Sequence, residues 1–256
     1  MKILRFGDAG QDVATLCAKL VQFDYLPFKM VAHRVFDRVV KRAVLDFQAR
    51  HLDPTGQPLV SDGVVGSLTW WALDHPKHHF IGKPLTWQDI PKVDLRSAHA
   101  VHVGALRTAF AEMEAGAQEI GKNNSGEWVK KYIHGIVDLP ANWCAGLFSW
   151  CWWESVKTMT MPFHYSLGAR DIRQQFARKG WAYEPGEKDP LPGDAVFWWR
   201  GRPDGWMGHI GFVVMRQNGI LYTLEGNKGP FPAPVRTFSY VESRMEKILG
   251  FGRMIT

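Results

Sequence analysis

Apolar residues recur along this chain with two different periods, and the change from one to the other divides it. In GDAGQDVATLCAKLVQFDYL, residues 7–26, the apolar positions Val13, Leu16, Cys17, Leu20 and Val21 are spaced by three and four. That period puts one face of a helix into a core, and Asp8 and Gly10 supply turn or cap signals ahead of it. A second helical period follows in FDRVVKRAVLDFQARHL, at Val40, Ala43, Val44, Phe47 and Gln48. After the turn-rich DPTGQPLVSDG a third short segment, VVGSLTWWAL, predicts a helix ending near Leu73, with Ser67 or Thr69 as its cap. Three short helices in about 70 residues make a small bundle, with Cys17 as a core residue.

From Pro76 the prolines of HPKHHFIGKPLTWQDIP and the lack of any sustained period predict a linker, and HPKHH at 75–79 belongs to it rather than to a metal site. Helical spacing returns in SAHAVHVGALRTAFAEMEAGAQEIG, breaks at GKNNSG, and resumes in EWVKKYIHGIV and in the tryptophan-rich run after Pro140. The last third changes character. DAVFWW, MGHIGFVVM, ILYTLEGN and ILGFGRM are short, rich in β-branched and aromatic residues and separated by turn signals, which predicts a sheet. The expected organisation is therefore a helical domain over 1–75, a linker over 76–95 and an α+β domain over 96–256.

The stretch LPANWCAGLFSWCWW, residues 139–153, holds two cysteines seven apart. Pro140 stops a helix from running in from upstream, and Asn142 is a strong N-cap residue, so the next helix should begin near Trp143 with Cys144 in its first turn. There the unpaired N–H groups and the positive end of the helix dipole favour a thiolate, the reactive form of the side chain. Cys151 lies two turns deeper, where that help has gone, and is read as packing.

A thiolate nucleophile needs a base and a group to orient it. His209 lies in the strand segment MGHIGFVVM, and QNG at 217–219 is a hairpin signal leading to ILYTLEGN. A two-residue turn at Asn218 and Gly219 would put His209 on a face with neither Glu225 nor Asn227. A three-residue turn with Gly219 in a left-handed bulge shifts the pairing by one, so that His209 faces Asn227 and lies diagonal to Glu225. A catalytic His209 thus requires the bulged turn. The small residues on either side of it, in GHIG, leave room for the ring to move or for substrate to approach.

Composition narrows the partners. The 256 residues carry 31 Lys and Arg against 25 Asp and Glu, a formal charge of +6 that favours an anionic partner. The basic residues are interspersed with acidic ones and form no stripe, so nucleic acid is not expected. No apolar run reaches the ~20 residues of a membrane span, so no stable membrane insertion is expected. The start, MKILRFGDAGQD, has no apolar segment of a secretory signal. Three cysteines, an odd number, imply free thiols rather than a disulfide framework.

Two resemblances extend this reading. The succession LRFGDAGQDVATLCAKL, FDRVVKRAVLDFQ and SDGVVGSLTWWAL, over residues 3–74, resembles the three-helix peptidoglycan-binding domain, although Cys17 stands where that family usually has glutamine. Then NNSGEWVKKY, NWCAGLFSW, LPGDAVFWWRG, GHIGFVV and LEGN, in that order over roughly 105–255, resemble the CHAP family of papain-like amidases and endopeptidases. The second resemblance implies Cys144 as nucleophile, His209 as general base, and Glu225 or Asn227 as the group that orients it. It also implies a papain-like α+β catalytic domain behind the small all-α domain.

Trp143, and Trp206 in the loop RGRPDGWMGH, are the residues expected to meet substrate. Some CHAP relatives hold calcium on an acidic loop before the cysteine; here only Asp138 stands near that place, so neither metal nor other cofactor is expected. The function implied is a monomeric peptidoglycan hydrolase of the phage-endolysin type, made in the cytoplasm and acting on the bacterial cell wall after release. Two alternatives share parts of the pattern: a secreted antibacterial amidase effector with an immunity partner, and a wall-binding protein without catalysis.

Overall fold

The computed structural model describes residues 2–54, 59, 62–75, 85–90, 99–156, 160–217, 219–229, 231–242, 245 and 247–254. The chain divides into two compact units, residues 1–84 with 239–241 and residues 85–238 with 242–256. Most of the stretch expected as a linker, including HPKHH beyond His75, lies outside the described residues.

The first unit holds α1 (Gln11–Gln22), α2 (Arg38–Gln48) and α3 (Ser67–Asp74). The positions picked out by period are its core: Val13, Leu16, Cys17, Leu20, Val40, Val44 and Phe47 are buried together with Phe36, Val65 and Trp70. One expectation about polar residues needs correcting, and one is borne out. Neither Ser67 nor Thr69 caps α3, whose N-cap is Gly66 without a side-chain bond. The Thr69 hydroxyl instead accepts from Gln48 Nε2 at 3.0 Å. Gln48, placed on an apolar stripe by its spacing, is buried because its amide is satisfied: Nε2 also donates to the Val64 carbonyl at 2.9 Å, and Oε1 accepts from the Gly63 amide at 2.9 Å.

The second unit is α+β. It has α4 (His99–Glu114), α5 (Glu127–Ile133), α6 (Cys144–Ser155), α7 (Ala169–Arg178) and a six-stranded sheet. The strands are β1 (Ala182–Tyr183), β2 (Ala195–Trp199), β3 (Gly208–Gln217), β4 (Ile220–Glu225), β5 (Arg236–Val241, of which 239–241 are grouped with the first unit) and β6 (Ile248–Gly252), in the order β1-β6-β2-β3-β4-β5. Residues 85–90, within the expected linker, fold onto this unit. Thr86 and Asp89 form a capping box, and the Trp87 ring sits edge-on to Phe110 of α4 at 5.8 Å.

Helix α6 is the centre of this unit. Every residue from Cys144 to Trp152 is buried, as its apolar character all round requires. Phe148 stacks on Phe212 of β3 at 4.4 Å, and Trp152 meets Phe163 edge-on at 5.6 Å. Asp194, at the start of β2, ties the neighbouring strands: its carboxylate accepts from the Tyr183 hydroxyl at 2.7 Å and from Arg253 Nη2 at 2.6 Å. Gly193 before it has φ +92°, and a Cβ there would lie 2.5 Å from the His102 carbonyl, so only glycine lets α4 come this close.

The β3–β4 hairpin achieves the expected register by an unexpected route. Near the turn Gln217 pairs with Ile220 and Arg216 with Leu221, the register of a two-residue connection. Further along, Val213 pairs with Thr223 and Phe212 with Leu224, one step different, with the shift between Val213 and Met215. The bulge therefore sits at Val214, in the middle of β3, and not at Gly219. Its effect on the far end is the one required: His209 and Glu225 come to the same face.

Candidate functional site

Cys144 is the first residue of α6. The expected cap is absent. Asn142 does not cap this helix; the N-cap is Trp143, whose side chain makes no capping bond. The Asn142 amide oxygen lies instead 3.5 Å from Asn227 Nδ2, which joins the approach to α6 to the end of β4. Burial by itself raises the Cys144 thiol, but the net shift is downward. His209 acts on it by charge and by a hydrogen bond, Arg200 adds positive charge, and the Ile210 backbone N–H is bonded to the sulfur. Cys144 is buried, with 6% of its residue surface exposed.

His209 sits at the start of β3, and both ring nitrogens are engaged. Nε2 is 2.7 Å from Glu225 Oε2, and Nδ1 is 2.8 Å from Arg200 Nη2. A guanidinium can only donate and an ionised carboxylate can only accept, so the proton of the neutral ring is on Nε2 and the lone pair on Nδ1. Trp198, paired with His209 across the β2–β3 ladder, walls the ring at a centroid distance of 5.5 Å.

Glu225, the last residue of β4, is fully buried. Burial works to raise its carboxyl, yet it is held at about 2 by the Lys228 ammonium at 3.2 Å, by His209, and by the Thr223 hydroxyl donating to Oε1 at 2.6 Å. The carboxylate thus stays charged throughout the neutral range. Its path to His209 crosses Gly211, where a Cβ would lie 2.6 Å from Glu225 Cγ. The space beside His209 in GHIG is therefore occupied by Glu225, contrary to the expectation that it serves ring motion or substrate.

Of the expected site residues, Cys144, His209 and Glu225 converge. Asn227 lies beside them, with φ 55°, and its carbonyl accepts from Arg200 Nη2 at 3.2 Å. Trp143 does not line a binding surface: it is fully buried, stacked on Tyr132 at 5.5 Å, and its Nε1 donates to Glu119 at 3.2 Å. Trp206 is 82% exposed on the loop between β2 and β3. That loop is held in place by Arg170 of α7, which donates to the Met207 carbonyl at 3.2 Å and to the Pro203 carbonyl at 2.6 Å.

Sequence reasoning missed Arg200, Lys228 and Thr223. The signal for Arg200 was an arginine closing the apolar run AVFWWR directly across a hairpin from the histidine segment. Among the described residues no group of three or more His, Cys, Asp or Glu is placed to hold a metal ion.

These elements, from the approach to α6 through the end of β4, coincide with a known family. Residues 137–227 match the family model of the CHAP domain, so the second unit carries a CHAP domain, and the matched segment contains Cys144, His209, Glu225 and Asn227. Among solved structures the chain is similar to the crystal structure of the Burkholderia AP3 phage endolysin, at 27% identity, covering 46% of this chain and 41% of that one, with a TM-score of 0.24. It is also similar to the crystal structure of Ly7917, at 16% identity, covering 59% and 61% of the two chains, with a TM-score of 0.33. The chain thus spans less than two thirds of either structure. No curated protein matches it.

Proposed function

We propose that this protein is a cysteine peptidoglycan hydrolase that cleaves an amide bond of the bacterial cell wall. The observation that carries the reading is the relay from Cys144 at the head of a buried helix to His209 and on to a buried, charged Glu225. In the reaction His209 Nδ1 takes the Cys144 proton, and the thiolate attacks the amide carbon, forming the S–C bond while the carbonyl electron pair moves onto oxygen. The N–H of Cys144, at the helix start, is the donor for that oxyanion. Collapse breaks the C–N bond, and the imidazolium protonates the leaving amine. Water, deprotonated by the same nitrogen, then attacks the thioester; the C–S bond breaks, a carboxylic acid leaves and the thiolate is restored. Glu225 fixes the tautomer and stabilises the imidazolium, the role that its contact with Nε2 supports. Asn227 holds Arg200 and Asn142 around the site.

The same relay serves an N-acetylmuramoyl-L-alanine amidase and a peptide-stem endopeptidase. The exposed Trp206, on a pinned loop of the same unit, is suited to stack on a sugar or a stem peptide. The first unit, which resembles a wall-binding module, would raise the local substrate concentration by tethering. The setting we propose is that of a phage endolysin, acting as a monomer on the wall after its release, with peptidoglycan as its partner. The test is digestion of purified sacculi by the wild type and by Cys144→Ala, read by mass spectrometry. Wild type should release fragments with new amino termini or free lactyl-sugar ends, and Cys144→Ala none, a loss on the order of 10⁴-fold or more. Equal release by the two proteins, or none by either, refutes the reading.

A further inference from the structure

Arg200 occupies the nitrogen that the reaction needs. Nε2 of His209 carries its proton toward Glu225, so Nδ1 has the one lone pair able to take the Cys144 proton, and Arg200 Nη2 donates to it at 2.8 Å. Once Nδ1 is protonated, two donors and two positive charges face each other at that contact, and it turns repulsive. Proton transfer therefore requires Arg200 to move off the ring.

Four other arginines of this unit sit on carboxylates and suggest where it goes, while Arg170 is taken up by the Met207 and Pro203 carbonyls. Arg173 holds Glu184 at 2.9 Å, Arg202 holds Asp204 at 2.8 Å, Arg216 holds Glu242 at 2.6 Å and Arg253 holds Asp194 at 2.6 Å. Arg200 has no carboxylate partner among the described residues; its guanidinium makes do with a neutral ring nitrogen and the Asn227 carbonyl. It is half-buried, immediately after β2, and Lys228 nearby is already committed to Glu225. A planar fork beside the nucleophile, without its preferred partner, fits a carboxylate supplied from outside.

We infer that Arg200 is a positioning and specificity residue that binds a free carboxylate of the peptide stem beside the scissile amide and, in moving to it, releases His209 Nδ1 to take the Cys144 proton. This rests on the amide-hydrolase reading above and names the substrate group that the site selects. Without such a carboxylate Arg200 stays on the ring and competes with Cys144 for Nδ1, so proton transfer is slower.

The test uses the full chain and two synthetic wall fragments that differ only in whether that stem carboxylate is free or amidated. Both kcat and KM are measured for the wild type, Arg200→Gln and Arg200→Lys. The wild type should favour the free carboxylate by about tenfold or more in kcat/KM, with a share of the difference in kcat because the base is released. In Arg200→Gln that ratio should fall to about one, and Arg200→Lys should recover part of it; a merely structural role would lower both substrates alike. Equal cleavage of the two fragments by the wild type, or a preference that survives in Arg200→Gln, overturns the inference and leaves the hydrolase intact. If the wild type cuts neither fragment nor sacculi, the hydrolase reading falls and this inference with it.

Discussion

Two positions on one helix, its first residue and its interior, treat the same side chain in opposite ways. Cys144 and Cys151 lie seven residues apart on α6, both buried among aromatic rings. At Cys151 burial dominates, the Glu112 charge adds to it, and Lys131 opposes without prevailing, so the thiol is pushed well above its ordinary value. At Cys144 burial is just as adverse in direction, but His209, Arg200 and the Ile210 amide together reverse it. Burial therefore does not decide whether a cysteine is reactive. What decides is whether the burial is accompanied by positive charge and donors, and those come from the sheet, not from the helix that carries the sulfur.

The sharpest test of that contrast is alkylation of the native protein by iodoacetamide across pH, followed residue by residue. Cys144 should react at pH values below the ordinary thiol range, while Cys151, and Cys17 with its thiol raised to about 11, stay unmodified. With the Cys144 thiol lowered and the Cys151 thiol raised, Cys144 is expected to be labelled far ahead of Cys151 at neutral pH. Equal labelling of the two would break the comparison.

A smaller effect should come from Gly211→Ala, which leaves both cysteines untouched but pushes Glu225 off its line to His209. Activity on sacculi should drop about 10²-fold through misplacement of the base. The same substitution has a signature in acid. Glu225 is held at about 2 against an ordinary 4.5, a depressed value, so its contribution to stability is complete above about pH 4.5 and is lost as pH falls from there toward 2. Urea unfolding over that window should show a shallower loss in Gly211→Ala than in wild type. An unchanged slope would show that the carboxylate had not moved.

The smallest effect belongs to Cys151→Ala. Removing a buried sulfur from a packed helix should cost about 1 kcal/mol in unfolding free energy and leave cleavage within about twofold. A large loss of activity would mean that Cys151 does more than pack.

How much of this was legible differs along the chain in physical terms. The helices of the first unit were, because an apolar stripe at a spacing of three and four has no competing explanation. So was the place of Cys144 at a helix start, since Pro140 fixes where a helix can begin, although Asn142 was drawn across to Asn227 instead of capping. The bulge at Val214 was not legible. GFVVM is apolar on both faces, and alternation cannot report a one-residue slip when neither parity is polar. Arg200 was hidden for a different reason: its importance comes from the β2–β3 pairing, and no local pattern marks a residue that acts across a hairpin. Trp143 misled because aromatic character beside a nucleophile does not distinguish a packed ring from a binding platform.

The bulge at Val214 also sets the rules by which this site can vary. It works as a phase shifter between two lengths of the same hairpin: the turn end keeps the tight two-residue geometry, and the site end keeps the parity that aims His209 and Glu225 at one another. A substitution in the turn alters a segment already out of step with the site, so the site is insulated from it. A deletion of one residue anywhere between Met215 and His209 cancels the shift and turns the histidine to the reverse side of the sheet. The length of β3, more than the identity of most of its side chains, is thus what keeps the two halves of the site in line.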